Sequence, residues 1–159
     1  MKTKHIIFLG LGANVGDKKQ NLEQAIAELK EKISDIRVSK FYETEPWGYK
    51  NQDKFLNAAI RGTTSFTPSS LLKFVKQIEK VVGRVERFKW GPREIDIDIL
   101  FYEDLIYKDP NLKIPHPFLH DRKFVLGPLM DLDPDLIHPV FKKTVRQLYE
   151  KFSAEVKTY

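Results

Sequence analysis

Two aspartates near the middle of the chain are spaced so that they can act together. Asp96 and Asp98 alternate with isoleucines in the run from Ile95 to Ile99. In a strand, residues two apart point to the same face, with Cα atoms roughly 6.6 Å apart. Carboxylates this close repel each other unless a cation lies between them. The pattern predicts a Mg²⁺ site, and two ions about 3.5–4 Å apart would also fit. The alternative is a strand whose solvent face is acidic.

Basic residues directly precede this pair, namely Arg84, Arg87, Lys89 and Arg93. Guanidinium groups bind phosphate through two parallel hydrogen bonds. Carboxylates for a metal beside arginines for phosphate are what a site for a metal–polyphosphate complex needs. Phosphoryl transfer depends mainly on alignment and on neutralised charge. Without the aspartates, the same segment would be interpreted as a solvated basic loop.

Aromatic, glycine and histidine residues in predicted turns are the remaining candidates. The aromatics are Trp47, Tyr49, Phe55, Phe88, Trp90 and Phe124. They can stack on a flat heterocycle, although Phe55 and Phe124 could equally belong to the core. Gly10, Gly12 and Gly16 are predicted to form a turn, because their spacing has one residue too many for a dinucleotide fingerprint. His116, between two prolines, could donate to a phosphate or simply face water.

The elements that must position these residues follow from hydrophobic periodicity. Strands are predicted over 6–11, 36–42, 55–63 and 95–101. A first helix follows Asp17, a second runs from Pro68 to Gly83, and further helices cover 122–130 and 144–152. The order β-α-β-β-α-β predicts an α+β, ferredoxin-like fold with an antiparallel sheet, helices on one face and a C-terminal helical extension. The loops 43–54 and 84–94 would lie beside the sheet and close over a ligand.

Length and composition narrow the possibilities. The 159 residues suit one domain over 1–159. The absence of cysteine excludes disulfides, zinc–thiolate sites and iron–sulfur clusters. The net charge of +5 is scattered along the chain, which does not by itself indicate nucleic-acid binding. No targeting segment or membrane-length apolar run is evident, so a cytoplasmic location is expected.

The run from Lys89 to Leu100 contains Gly-Pro-Arg-Glu-Ile-Asp-Ile-Asp and is the most specific of several motifs. Together these motifs resemble a known family, the 6-hydroxymethyl-7,8-dihydropterin pyrophosphokinases of folate biosynthesis. The similarity covers nearly the whole chain. Its other motifs are Leu9–Asp17, Phe41–Pro46, Phe55–Ala59, Ile78–Glu79 with Gly83–Arg84, and Pro115–Pro117.

The resemblance implies one reaction, in which pyrophosphate passes from ATP to the hydroxymethyl oxygen of the pterin and AMP leaves. It implies that Asp96 and Asp98 hold two Mg²⁺ ions and are catalytic together with Arg84 and Arg93. The implied ATP-binding residues are Glu79, Arg84, Trp90, Arg93, Ile99, Leu112, Lys113, His116 and Arg122. The implied pterin-binding residues are Thr44, Glu45, Pro46, Trp47, Phe55, Asn57, Trp90 and Phe124. The basic loop is one residue shorter than in some relatives, so the resemblance leaves the role of Arg87 open.

Two other functions compete with this prediction. A basic ferredoxin-like RNA-binding module would stack bases on sheet aromatics, but the aromatic-rich RNP1 pattern is absent and two aspartates would repel the phosphate backbone. Another phosphoryl-transfer enzyme could use the same aspartates, and it would release ADP if it were a kinase. The partners expected are therefore ATP and the hydroxymethyl dihydropterin, with no nucleic acid, no membrane and no obligate protein partner.

Overall fold

A computed structural model describes residues 3–46 and 48–157, with side chains through residue 152. Its strands are β1 (His5–Ala13), β2 (Ser34–Val38), β3 (Tyr42–Thr44), β4 (Phe55–Thr64), β5 (Asp96–Tyr102), β6 (Tyr107–Lys108) and β7 (Lys113–Ile114). Its α-helices are α1 (Lys18–Lys30), α2 (Pro68–Val82), α3 (Lys123–Leu132) and α4 (Val145–Lys157), with a 3₁₀ turn at Leu119–Asp121 before α3. None of the helices described is both long and apolar enough to cross a membrane.

The main sheet is antiparallel, in the order β2-β4-β1-β5, and β3 also pairs with β4. This is the strand order of the ferredoxin-like fold, with β2 and β3 together forming its second strand. The single strand predicted over 36–42 is thus wrong in detail. Val38 pairs with Ile60 and Tyr42 with Asn57, so one extra residue bulges between them. The Ser39 hydroxyl stabilises the bulge by accepting a hydrogen bond from the Ala59 N–H at 2.8 Å.

Helices α1 and α2 cover one face of the sheet. Each begins at a side chain that accepts a backbone N–H, Asp17 for α1 and Thr67 for α2. Helix α2 ends at Gly83, whose φ of 112° is left-handed. The buried core between these helices and the sheet includes Leu22, Leu29, Leu71, Val75, Ile78, Leu9, Leu11, Ile97 and Ile99. The predicted α+β fold with both main helices on one face is confirmed.

Helices α3 and α4 pack on part of the opposite face of the sheet. Leu126 and Leu129 of α3, with Val145 and Leu148 of α4, bury Phe8, Ala59, Leu100 and Phe101. They leave the end of this face nearest Asp96 open. The C-terminal extension is therefore a partial third layer, and its edge forms one wall of a cleft.

Candidate active site

The floor of the cleft is made by glycines in the central strand. Gly12 of β1 lies opposite Asn57 on one side and Asp96 on the other, and Gly10 lies opposite Asp98. The prediction that Gly10 and Gly12 form a turn is wrong, because both lie inside β1. Only Gly16, with φ of 73°, lies in the turn that follows. A Cβ on Gly12 would come 2.7 Å from Oδ1 of Asn57, so the glycine keeps the floor low enough for a ligand.

The cleft, of about 650 Å³, brings together ten of the residues predicted for the site. The predicted residues that line it are Thr44, Glu45, Phe55, Asn57, Trp90, Arg93, Asp96, Asp98, Arg122 and Phe124. The floor and back wall were not predicted, and they include Gly10, Gly12, Ala59, Leu100 and Val125.

Asp96 and Asp98 point into the cleft from β5, while the alternating isoleucines face the helices. Burial raises the pKa of Asp96, but Arg93 and Arg84 together bring that pKa below its ordinary value. Burial and the negative charge of Asp96 raise the pKa of Asp98 well above its ordinary value. A cation bound between the two carboxylates would offset this repulsion and favour the charged form of Asp98. Hard oxygen donors with one charge uncompensated fit Mg²⁺, which needs only one or two carboxylates.

Two arginines contact the same carboxylate from opposite sides. Arg84 donates from Nη1 to Oδ1 of Asp96 at 3.1 Å, and Arg93 donates from Nη1 to Oδ2 at 3.0 Å. Their side chains are only 19% and 18% exposed. Arg84 follows the end of α2, and Arg93 lies at the end of the basic loop. The fold therefore brings two separate segments together at Asp96. Both cations therefore lie where a polyphosphate held beside the aspartates through Mg²⁺ would meet them.

Glu79 forms the base of this cluster. It is 3% exposed, and its Oε2 accepts the N–H of Ile97 at 2.8 Å while Oε1 lies 3.0 Å from Nη1 of Arg84. Burial raises its pKa despite these contacts. Glu79 thus connects α2 to β5 and holds Arg84 beside Asp96. The Glu79 side chain does not line the cleft, so it would contact a nucleotide only at the edge of the cleft.

The other end of the cleft is a slot with polar and aromatic walls. Asn57 donates from Nδ2 to the hydroxyl of Thr44, which fixes its amide over the glycine floor. Phe55 and Phe124 both line this slot, and the Arg93 guanidinium lies 5.7 Å from the Phe55 ring centroid. A flat heterocycle can therefore stack on aromatic rings while its edge forms hydrogen bonds with Asn57.

Arg122 lies among aromatic rings at the mouth of the cleft. Its guanidinium carbon is 5.0 Å from the Trp90 ring centroid, 5.2 Å from that of Phe118 and 5.6 Å from that of Phe124. The side chain is buried, and burial lowers its pKa. This contact joins the 84–94 loop to the start of α3. Phe118, which is 42% exposed, was not singled out from the sequence.

His116 lies beside the aspartates with its Nε2 4.0 Å from Oδ1 of Asp98. Its Nδ1 accepts the N–H of Phe118 at 3.3 Å. Burial and the nearby Arg122 cation lower its pKa to about 4. At neutral pH the ring is therefore uncharged, with Nε2 on the side of Asp98.

The remaining predicted residues lie outside the cleft. Ile99 is buried in the core on the helix side of β5, so only its backbone can approach a ligand. Leu112 lines a groove along α2, and Lys113 lines a separate groove beside His116. Pro46 is buried and its carbonyl accepts from Nζ of Lys50 at 2.6 Å. Trp47 lies outside the described residues.

Arg87, to which the sequence assigned no role, points away from the aspartates. Its guanidinium forms two hydrogen bonds with the Glu94 carboxylate, at 2.9 and 2.8 Å. These bonds lower the pKa of Glu94 to about 2. Of the basic residues that precede the aspartates, only Arg84 and Arg93 contact them.

Comparison with known proteins shows the family of the chain. Residues 8–134 match the family model of the 7,8-dihydro-6-hydroxymethylpterin-pyrophosphokinases (HPPK). The chain belongs to the HPPK family. It is 47% identical over 141 residues to the 2-amino-4-hydroxy-6-hydroxymethyldihydropteridine pyrophosphokinase of Aquifex aeolicus, covering 89% of this chain and 88% of the relative. It is 45% identical to the protein of the same name from Methylorubrum extorquens, covering 91% of each.

Some HPPK relatives are longer. The chain is 44% identical to a folic acid synthesis protein of Dictyostelium discoideum, covering 91% of this chain but 22% of that one. The solved Plasmodium falciparum HPPK-DHPS has the same fold, with a TM-score of 0.79 and 20% identity, over 99% of this chain and 46% of that one. The predicted identity as an ATP-dependent pyrophosphokinase of folate biosynthesis is confirmed.

Proposed function

We propose that this HPPK chain binds ATP and 6-hydroxymethyl-7,8-dihydropterin side by side in the cleft and transfers pyrophosphate between them. The observation that carries the proposal is that one cleft holds both groups of residues. One end of the cleft is lined by Asp96, Asp98 and Arg93, and the other end by Asn57, Phe55 and Phe124. A polyphosphate at the first end and a flat pterin at the second would bring the reacting atoms together.

In this arrangement the pterin would lie between aromatic walls with its polar edge on Asn57. Its hydroxymethyl group would then point along the floor of Gly12 and Gly10 toward the aspartates. The hydroxymethyl oxygen would form a bond to the β-phosphorus of ATP, and its proton would be released to solvent. The bond from that phosphorus to the oxygen it shares with the α-phosphorus would break, and AMP would leave.

Asp96 and Asp98 would hold Mg²⁺, and two ions are proposed because two carboxylates share one face. The bound metal would supply charge neutralisation and alignment of the phosphate oxygens. Arg84 and Arg93 would pair with the polyphosphate in place of part of their contact with Asp96. Arg122, which lines the cleft, and His116, beside Asp98, are proposed to contact the same group.

The loops 45–54 and 84–94 are proposed to exclude water from the reaction. They already contact each other across the cleft. The Tyr49 and Phe88 ring centroids lie 4.9 Å apart, and the Gln52 amide donates to the Trp90 carbonyl at 2.7 Å. A closed site strengthens the electrostatic interactions of the arginines with the transferring group, so catalysis is proposed to come from alignment and charge rather than from a general base.

The test is a product assay with MgATP and the hydroxymethyl dihydropterin, in which AMP, ADP and ATP are separated. AMP that forms only when both pterin and Mg²⁺ are present supports the proposal. ADP as the product would be consistent with the phosphate site but would rule out pyrophosphate transfer. ATP left unchanged by a folded sample would overturn the proposal, and salt-dependent RNA binding would then be measured.

The wider setting is proposed on the basis of family membership. Small molecules are proposed as the partners, in the cytoplasm, without nucleic acid, membrane or an obligate protein partner. Residues 1–159 are proposed to act as one domain. AMP formation by the purified chain alone tests whether it works without a protein partner.

A further inference from the structure

Asn14 lies just beyond β1, outside the cleft, and is 2% exposed. A buried polar side chain of this kind is costly unless its hydrogen bonds are made. Here they are made to two segments distant in sequence. The Asn14 amide nitrogen donates to Oε1 of Gln52 at 2.7 Å and to the Asp53 carbonyl at 3.0 Å. Asn14 thereby fixes the end of the 45–54 loop.

The other contacts of Asn14 are with Arg93. Its Oδ1 accepts the N–H of Arg93 at 2.9 Å, and its own N–H donates to the Arg93 carbonyl at 3.0 Å. Both backbone polar groups of Arg93 are therefore held by one residue. The Arg93 side chain then reaches Asp96 three residues along the chain. By holding the Arg93 backbone, Asn14 helps to set the position of the Arg93 guanidinium.

We propose that Asn14 is a positioning residue for Arg93, and that it sets the position of this arginine relative to the pterin-side loop. It touches neither substrate in the proposed arrangement. It acts by holding the Arg93 backbone and the 45–54 loop in one hydrogen-bonded cluster. The proposal rests on the proposed function, because it assumes that Arg93 assists the transfer.

Asn21 provides a matched control. It is also an asparagine that bridges distant segments, and its amide donates to the Val15 carbonyl at 3.0 Å and the Glu94 carbonyl at 3.1 Å. It anchors the residue next to Arg93 but holds neither Arg93 nor the 45–54 loop. A purely structural role for Asn14 would give both substitutions the same effect.

The experiment measures two quantities. One is kcat for AMP formation, and the other is the affinity for α,β-methylene-ATP in the presence of Mg²⁺. The α–β link of this analogue cannot be cleaved in the transfer. Asn14→Ala is expected to lower kcat at least tenfold while the affinity for the analogue changes less than threefold. Asn21→Ala is expected to keep kcat within threefold of the parent chain. Asn14→Asp keeps an oxygen for the Arg93 N–H, so its kcat should lie between those of the parent chain and Asn14→Ala.

A double-mutant cycle then separates positioning from general damage. In an Arg93→Ala background, adding Asn14→Ala should lower kcat less than threefold, because the residue it positions is gone. A further tenfold loss there, or a kcat unchanged by Asn14→Ala alone, overturns the proposal. Should Asn14→Ala not fold, Asn14→Asp takes its place in the same cycle. If the parent chain forms no AMP, it is the proposed function that fails, and the positioning role falls with it.

Discussion

Nη1 of Arg93 lies 3.0 Å from Oδ2 of Asp96, so a proposed phosphate ligand and a proposed metal ligand are hydrogen-bonded to each other. The contact spans three residues of sequence, and it depends on the turn into β5. It keeps a cation beside the carboxylate pair and holds the guanidinium ready for the polyphosphate.

Arg93→Ala is therefore expected to lower kcat by about 10²–10³-fold, the size seen when one preorganised donor to developing charge is removed. Arg93→Lys should recover only part of the loss, because an ammonium group lacks the planar fork. Steady-state AMP formation measures both. Arg87→Ala, in the same loop but paired with Glu94, is the control, and a loss of kcat as large as that of Arg93→Ala would contradict the assignment.

Asp98→Asn is expected to abolish turnover, because the neutral amide no longer supplies a negative ligand for Mg²⁺. Pterin binding should survive in part, since Asn57, Phe55 and Phe124 are untouched. AMP formation over a range of Mg²⁺ concentrations and pterin affinity are the measurements. Asp135→Asn, which removes an exposed ion pair with Arg146, controls for loss of charge. Normal turnover by Asp98→Asn would contradict the assignment of Asp98 as a Mg²⁺ ligand.

Gly12→Ala is expected to weaken pterin binding at least tenfold. The new Cβ would lie 2.7 Å from Oδ1 of Asn57, so the amide that is proposed to meet the pterin must move. The affinity for α,β-methylene-ATP should change little. Gly127→Ala in α3 is the control, because its Cβ would meet Tyr149 at an ordinary 3.7 Å. Equal pterin affinity in Gly12→Ala and the parent chain would count against the placement of the pterin.

The buried His138 predicts a loss of stability in mild acid. Its Nδ1 accepts the N–H groups of Val140 and Phe141, both at 3.2 Å, and burial with the nearby His120 lowers its pKa to about 4. The unfolded chain, with an ordinary pKa near 6.5, therefore binds more protons than the folded chain between these values. Stability falls as the pH drops through this window, by about 2 kcal/mol from pH 7 to pH 5.

Urea unfolding at pH 7 and pH 5 measures this effect. His138→Asn keeps a short acceptor for the same N–H groups without titrating, so its stability should depend less on pH. Because His116 titrates in the same window, the comparison rests on the difference between the two chains. Identical pH dependence in both would show that His138 is not the group responsible.

The sequence by itself determined the local features of this protein. The alternation of isoleucine with Asp96 and Asp98 fixed which side chains share a face of β5, because that period is a property of any strand. The apolar stripes of α1 and α2 and the caps at Asp17 and Thr67 fixed the helices for the same reason. Ten of the residues that line the cleft could be named from the sequence because motif, element and chemistry agreed.

Only the tertiary structure decided what depends on contacts between distant segments. Gly10 and Gly12 look like turn residues in sequence, and it is the register of β1 between β4 and β5 that makes them the floor of the cleft. The bulge at Ser39 arises because its hydroxyl replaces a backbone acceptor for Ala59. Asn14 becomes a junction only when Gln52 and Arg93 fold onto it. Periodicity is local, and it can be read from a short stretch of sequence. Strand register and hydrogen bonds between distant segments are set by packing, so no short stretch of sequence reveals them.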